Sequence, residues 1–250
     1  MTFALRGLEL RVRDLELEVD FYQRLLGCEL QTRGPREALL TPPGGLFQLR
    51  LSADPQAPLR PQPSLGLYHF ALLLPDRASL AALAWRLLSY PAWQGASDHG
   101  VSQALYLADP EGNGIELAWD RPPELWPRWR GELAMTTEPL DLAQLLTQAD
   151  REAGLPPGTR LGHLHLHVAD LDEAERFYTS LGLQVTQRSY PGARFLAADG
   201  YHHHIGINLW AHGRRAPEGA TGLTAYWIAL SQPRGELRDP LGLRVVTEPL

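Results

Sequence analysis

The chain has 250 residues, 44% of them hydrophobic and 21% charged, which supplies enough apolar material for a packed core and carries no signature of disorder. A formal net charge of -6 argues against a nucleic-acid surface and against an anionic membrane surface. All 23 basic residues are arginine, so Schiff-base chemistry, pyridoxal phosphate attachment and a P-loop lysine are excluded, and the single Cys28 can form neither an internal disulfide nor a thiolate zinc site.

In chain order, the alternation of Leu8, Leu10 and Val12 predicts a first strand. Asp14 then reads as the N-cap of a helix carrying Leu17, Phe21 and Leu25 at helical spacing, which Gly27 ends before further short strands. Cys28, just past that helix, reads as a small buried filler. A second unit runs from a strand at 67–74 through a helix at 78–90, with Leu80, Leu83, Ala84 and Leu87 on one face, to strands at 103–107 and 114–119. The segment from Arg121 to Thr159 holds six prolines around one amphipathic stretch at 141–153 and reads as a linker with a helix in it. Trp126 and Trp129 in that linker are expected to pack across the two halves. No apolar run approaches the ~20 residues of a membrane span, and Met1-Thr-Phe-Ala-Leu-Arg lacks the basic-then-apolar order of a signal peptide, so a soluble cytoplasmic protein is expected.

The chain repeats itself. Arg11-Val-Arg-Asp14 through Phe21-Tyr22 matches His167-Val-Ala-Asp170 through Phe177-Tyr178, and the same spacing aligns Gly66-Leu-Tyr-His69 with Gly222-Leu-Thr-Ala225. Asp109-Pro-Glu-Gly112 pairs with Asp239-Pro-Leu-Gly242 at a shorter spacing, so the last unit has lost a piece between Leu230 and Asp239. Each unit reads as β-α-β-β-β, at roughly 1–54, 65–120, 160–212 and 221–250, the fourth without its helix. The domain organisation expected is 1–120, a linker at 121–159, and a shortened 160–250.

Gly162-His163-Leu-His-Leu-His-Val-Ala-Asp170, Phe177-Tyr178, Gly66-Leu-Tyr-His69-Phe, Asp98-His99-Gly100, Tyr106-Leu-Ala-Asp109-Pro-Glu-Gly112-Asn-Gly-Ile-Glu116 and Gly200-Tyr-His-His-His carry a resemblance to the vicinal oxygen chelate superfamily of glyoxalases, bleomycin-resistance proteins and extradiol dioxygenases, and within it to two-domain catechol 2,3-dioxygenases. The resemblance implies an α+β fold in which βαβββ modules pair into two half-open mixed-sheet cups. It implies a divalent metal, Fe(II) or else Mn(II), held by two histidines and a glutamate, with a catechol-type diol and dioxygen as substrates. Three ligands on one face leave adjacent positions open for both. Carried over by position, the ligands are His69, Glu116 and His163, and the acid–base and substrate-contacting residues are His203, His99 and Tyr106.

The matching positions elsewhere hold Gly7, Ala225 and Val246, so no contiguous half contains a full ligand set. Two pairings follow. Modules one with two and three with four give two broken cups; module two with module three gives one complete cup, which is the expectation because all six positions then fall in modules two and three. Strand alternation places His163, His165 and His167 on one face, His165 and His167 as cup lining or surface, and sets His203 opposite His202 and His204. Rival readings are a glyoxalase-like metal-dependent isomerase, for which no second glutamate matches, and a metal-free protein that sequesters an aromatic ligand. No nucleic-acid or membrane partner is expected, and the sequence leaves the oligomeric state, a homodimer included, open.

Overall fold

The computed structural model describes residues 2–150 and 154–250. Strand β1 (Phe3–Val12) buries Leu8, Leu10 and Val12 completely. Asp14 caps α1 (Leu15–Asp20) by accepting from Leu17 N at 3.0 Å. The helical run predicted through Leu25 continues as a wider-wound segment, Phe21–Leu26, which Gly27 closes with a left-handed φ of 86°. Strands β2 (Glu29–Arg33), β3 (Glu37–Thr41) and β4 (Gln48–Ala53) complete the first module.

The second module is β5 (Gly66–Leu73), α2 (Arg77–Leu87), β6 (Trp93–Asp98), β7 (Ser102–Ala108) and β8 (Gly114–Asp120). Helix α2 stops short of the predicted residue 90: Pro91 disfavours helical backbone at Tyr90, and the Leu88 and Tyr90 amides turn back to the Trp85 and Leu87 carbonyls. The linker contributes β9 (Arg128–Trp129) and β10 (Glu132–Leu133) as a small ribbon, then β11 (Glu138–Pro139) and α3 (Leu142–Leu146). Of the helix expected over 141–153, the five residues of α3 form; the Thr147 hydroxyl competes for the Gln144 carbonyl at 2.7 Å, and 151–153 lie outside the described residues. Trp126 packs with Val101, Leu133, Met135, Ala193 and Phe195 in a small second core, whereas Trp129 is exposed beneath the Arg130 guanidinium. Cys28 is buried and free, and burial pushes its thiol up to about 12.

The third module is β12 (Arg160–His167), α4 (Leu171–Ser180), β13 (Gln184–Gln187), β14 (Ala193–Ala197) and β15 (Ile205–Asn208). The fourth is β16 (Gly222–Leu230), β17 (Glu236–Arg238) and β18 (Arg244–Pro249); it lacks the helix, as expected, and holds three strands where the other modules hold four.

Two sheets result, in the orders β17-β18-β16-β1-β4-β3-β2 and β11-β6-β7-β8-β5-β12-β15-β14-β13. Module one therefore pairs with module four through the antiparallel β1–β16 ladder, and module two with module three through β5–β12. Neither sequence half closes a sheet by itself. Consecutive modules are joined differently: Tyr22 donates its hydroxyl to Asp109 at 2.9 Å, and the repeat-related Tyr178 donates to Asp239 at 3.3 Å. One continuous apolar core runs through both sheets and the helices.

Candidate metal centre and substrate cup

The concave face of the second sheet is a grid set by strand register. One row crosses β7, β8, β5 and β12 as Tyr106, Glu116, Ala71 and His163; the next runs Ala108, Gly114, His69 and His165, then Gly206 and Phe195 on β15 and β14. The imidazoles of the second row are flanked by glycines for a steric reason. A Cβ at Gly114 would lie 2.1 Å from the Tyr68 carbonyl oxygen, and one at Gly206 would lie 2.9 Å from the His165 ring. A register shift between β5 and β12 leaves Tyr68 as the extra residue of a bulge, which lets Tyr68 and His69 line the same cavity although they are adjacent.

The rows bring three donor atoms together. His69 Nε2 lies 2.9 Å and His163 Nε2 3.2 Å from Glu116 Oε2, and the two nitrogens are 3.2 Å apart. All three side chains are buried, and among the described residues this is the grouping of histidine, cysteine or carboxylate groups that could hold an ion. Bonds of about 2.1 Å at right angles put neighbouring donors about 3.0 Å apart, so the triangle has the spacing of three facial ligands. Hydrogen bonding alone serves the cluster poorly. With both imidazoles donating to Glu116, two N–H groups would crowd together at 3.2 Å. Burial raises the affinity of Glu116 for a proton, but His163 and His69 outweigh it and hold the carboxyl well below its usual range. Burial holds His163 below the ordinary imidazole value despite Glu116. Both shifts run toward the forms a divalent cation binds, a deprotonated carboxylate at Glu116 and an unprotonated ring nitrogen at His163.

All six residues singled out in the sequence line one cavity of 340 Å³. His203 stacks on His163 with ring centroids 4.0 Å apart, and burial, then the neighbouring His163 and His202, hold it well below the usual imidazole range. His99 Nδ1 lies 2.6 Å from the Thr136 carbonyl, which can only accept, so that nitrogen carries the proton. His99 Nε2 is then an acceptor, and takes the Tyr106 hydroxyl hydrogen at 2.5 Å.

Sequence reasoning missed much of the wall. Tyr68, Tyr190, Phe195, Trp210 and the linker residues Met135, Thr136 and Thr137 also line the cavity. Gln187 holds the linker there by donating to the Met135 carbonyl and accepting from its amide, and Thr137 shares a 2.8 Å hydrogen bond with Tyr190. His165 faces the cup, buried, with Nε2 unpartnered, as its strand alternation suggested; His167 turns to Asn208 Oδ1 at 2.6 Å. His202 faces Asp120 at 2.9 Å, and His204 packs on Phe3 outside the cup. In the first sheet, Gly7, Ala225 and Val246 offer no donors, and Glu9 is instead engaged by Thr224 and Arg244.

The chain belongs to the glyoxalase/bleomycin resistance protein/dioxygenase superfamily, whose family model matches residues 5–117 and 160–234. It is 44% identical over 247 residues to a catechol-2,3-dioxygenase of Bacillus subtilis strain 168, across 95% of this chain and 85% of that protein, and is a dioxygenase-type enzyme. Among solved structures, a putative dioxygenase of Bacillus subtilis shares the fold with a TM-score of 0.67 at 15% identity, covering 100% of this chain and 86% of that one. Glyoxalase I of Zea mays does so with a TM-score of 0.59 at 18% identity, over 98% and 92% of the two chains. No helix among the described residues is long and apolar enough to cross a membrane.

Proposed function

We propose that the enzyme is a metal-dependent extradiol dioxygenase that opens the ring of a catechol-type diol. The observation that carries this reading is the buried triangle of His69, Glu116 and His163, with donor atoms 2.9–3.2 Å apart at the base of an aromatic-lined cup. These three side chains would hold the metal, Fe(II) or else Mn(II). Bound there, such an ion would lower the pKa of diol oxygens and would supply the electronic link between diol and dioxygen. His203 takes up a diol proton and returns it later in the cycle. Tyr106 gives its hydroxyl hydrogen to His99, so its oxygen lone pairs remain to accept from a substrate hydroxyl. The ring faces of Phe195, Trp210, Tyr190 and Tyr68 suit a flat aromatic substrate. The donor set holds one carboxylate, which favours this chemistry over a glyoxalase-like isomerisation.

The test is iron content after anaerobic reconstitution, followed by oxygen uptake and ring-opened product formation with catechol. About one iron per chain is expected, lost in H69A, H163A and E116Q alike. Retained iron in all three variants would refute the site. An iron-free protein that binds catechol without turnover would establish the sequestering alternative.

A further inference from the structure

Beside the cup a partly buried chain of polar side chains leads to His203, and all but His203 stand outside the proposed chemistry. It starts at Asp120, the last residue of β8 and two pleats beyond Glu116. Tyr201 donates its hydroxyl to Asp120 Oδ2 at 2.8 Å, and His202 Nε2 lies 2.9 Å from Oδ1. His202 Nδ1 is in turn 2.8 Å from Nδ1 of His203. His202 is 1% exposed and its ring is clamped between Tyr201, at a centroid distance of 4.0 Å, and the edge of Trp126, at 5.1 Å. The Thr186 hydroxyl fixes its backbone by donating to the His202 carbonyl at 2.6 Å.

The hydrogens along this chain can be placed from Asp120 outward. A carboxylate accepts on both oxygens, so His202 Nε2 carries a hydrogen. With a single hydrogen on the ring, placed at Nε2, His202 Nδ1 is bare. A 2.8 Å contact between two ring nitrogens needs a hydrogen, and His203 must supply it from its own Nδ1. His203 Nε2, on the opposite side of a ring that lines the cavity, is then left with a free lone pair.

We infer that Asp120, Tyr201 and His202 are positioning residues that lock His203 into the Nδ1–H tautomer, so that it meets substrate as a proton acceptor. The logic is that of a carboxylate orienting a ring through hydrogen bonds, here transmitted through a second imidazole. The link crosses the β5–β12 seam, because Asp120 belongs to module two whereas His202 and His203 belong to module three. The functional importance of the tautomer rests on the role proposed above for His203, but the tautomer itself is measurable whether or not that role is right.

The experiment is two-bond 1H–15N correlation spectroscopy of the metal-free full chain with 15N-labelled histidine, His203 being assigned through H203N. The wild-type protein should show His203 protonated at Nδ1. H202L and D120L should convert it to the Nε2–H form that free imidazole side chains favour. H202N should preserve it, since the asparagine carbonyl can accept from His203 where the ring nitrogen did. An Nε2–H His203 in the wild type would overturn the inference, because His202 would then be the donor. So would a wild-type Nδ1–H signal unchanged in both H202L and D120L.

If the wild type turns over catechol, kcat should fall about 10- to 100-fold in H202L with KM little changed, and recover in H202N. Absence of turnover with the tautomer pattern as stated would refute the proposed reaction and leave the relay standing. Full turnover in H202L would refute the relay's role and leave the reaction standing.

Discussion

Glu18 is a buried carboxyl away from the cup. It is wholly buried on α1, accepts the Glu111 amide at 3.0 Å, and sits against Asp109. Burial, then the charges of Asp109 and Glu111, push it well above the ordinary value of 4.5. The folded chain therefore binds a proton at neutral pH that the unfolded chain does not, and stability falls as pH rises from about 4.5 until the folded group itself ionises. E18Q supplies a permanent amide donor toward Asp109 and needs no proton. Urea denaturation from pH 5 to 9 should show wild-type stability declining with pH and E18Q declining less, with the variant the more stable at pH 9. Equal slopes would mean that Glu18 is ionised in the folded state. The Tyr22 hydroxyl bound to Asp109 belongs to the same cluster, and Y22F should cost about 1–2 kcal/mol by leaving a buried carboxylate oxygen short of a donor. A Y22F stability equal to wild type would mean that Asp109 keeps its full complement of donors without that hydroxyl.

At the scale of strands, the cup depends on the close approach of neighbouring backbones. Gly114 faces His69 across the parallel β5–β8 pair, and the space its missing Cβ leaves is what seats β8 against Tyr68 and His69. G114A should push β8 outward, lowering stability by about 1–3 kcal/mol and weakening metal binding at the proposed site about 10- to 100-fold, since Glu116 is two residues along the same strand. Thermal denaturation and metal titration check this; wild-type values in both would mean the strands tolerate the separation. The leading strands and helices of the first three modules were legible in the sequence, because apolar alternation and the Asp14 cap act locally, whereas the short linker strands and the early end of α3 were not. His69, Glu116 and His163 could be singled out because each sits on a strand that the repeat pattern marks. The bulge that turns Tyr68 into the cup could not be read, since it is a mismatch of register between two strands 94 residues apart in the chain, at His69 and His163. Nor could the linker's place over the cavity, which Gln187 fixes through two hydrogen bonds to the Met135 backbone.

For the whole molecule, the module pairing ties folding to the proposed metal site. Repeat spacing identifies four similar units but says nothing about which strands meet; that is decided by which pairings bury the most apolar edge. Here β1 pairs with β16 and β5 with β12, so residues 1–150 alone would expose the β1 and β5 edges, and residues 154–250 alone the β12 and β16 edges. The donors divide in the same way: His69 and Glu116 lie on the first fragment, His163 on the second. Each fragment produced by itself should therefore retain no stoichiometric iron and should aggregate or stay unfolded. Co-expressed, the two should assemble through the same ladders and hold about one iron per pair, with iron loss and loss of near-UV circular dichroism coinciding on denaturation. A first fragment that folds alone and holds iron as the intact chain does would show that His163 is dispensable and that the shared cup is not the metal site. The intact chain gains from the connection, since the linker that joins the halves also supplies Met135, Thr136 and Thr137 to the cavity wall. Cutting within 121–139 should accordingly impair catechol turnover more than a cut within 151–153, even where both leave iron bound.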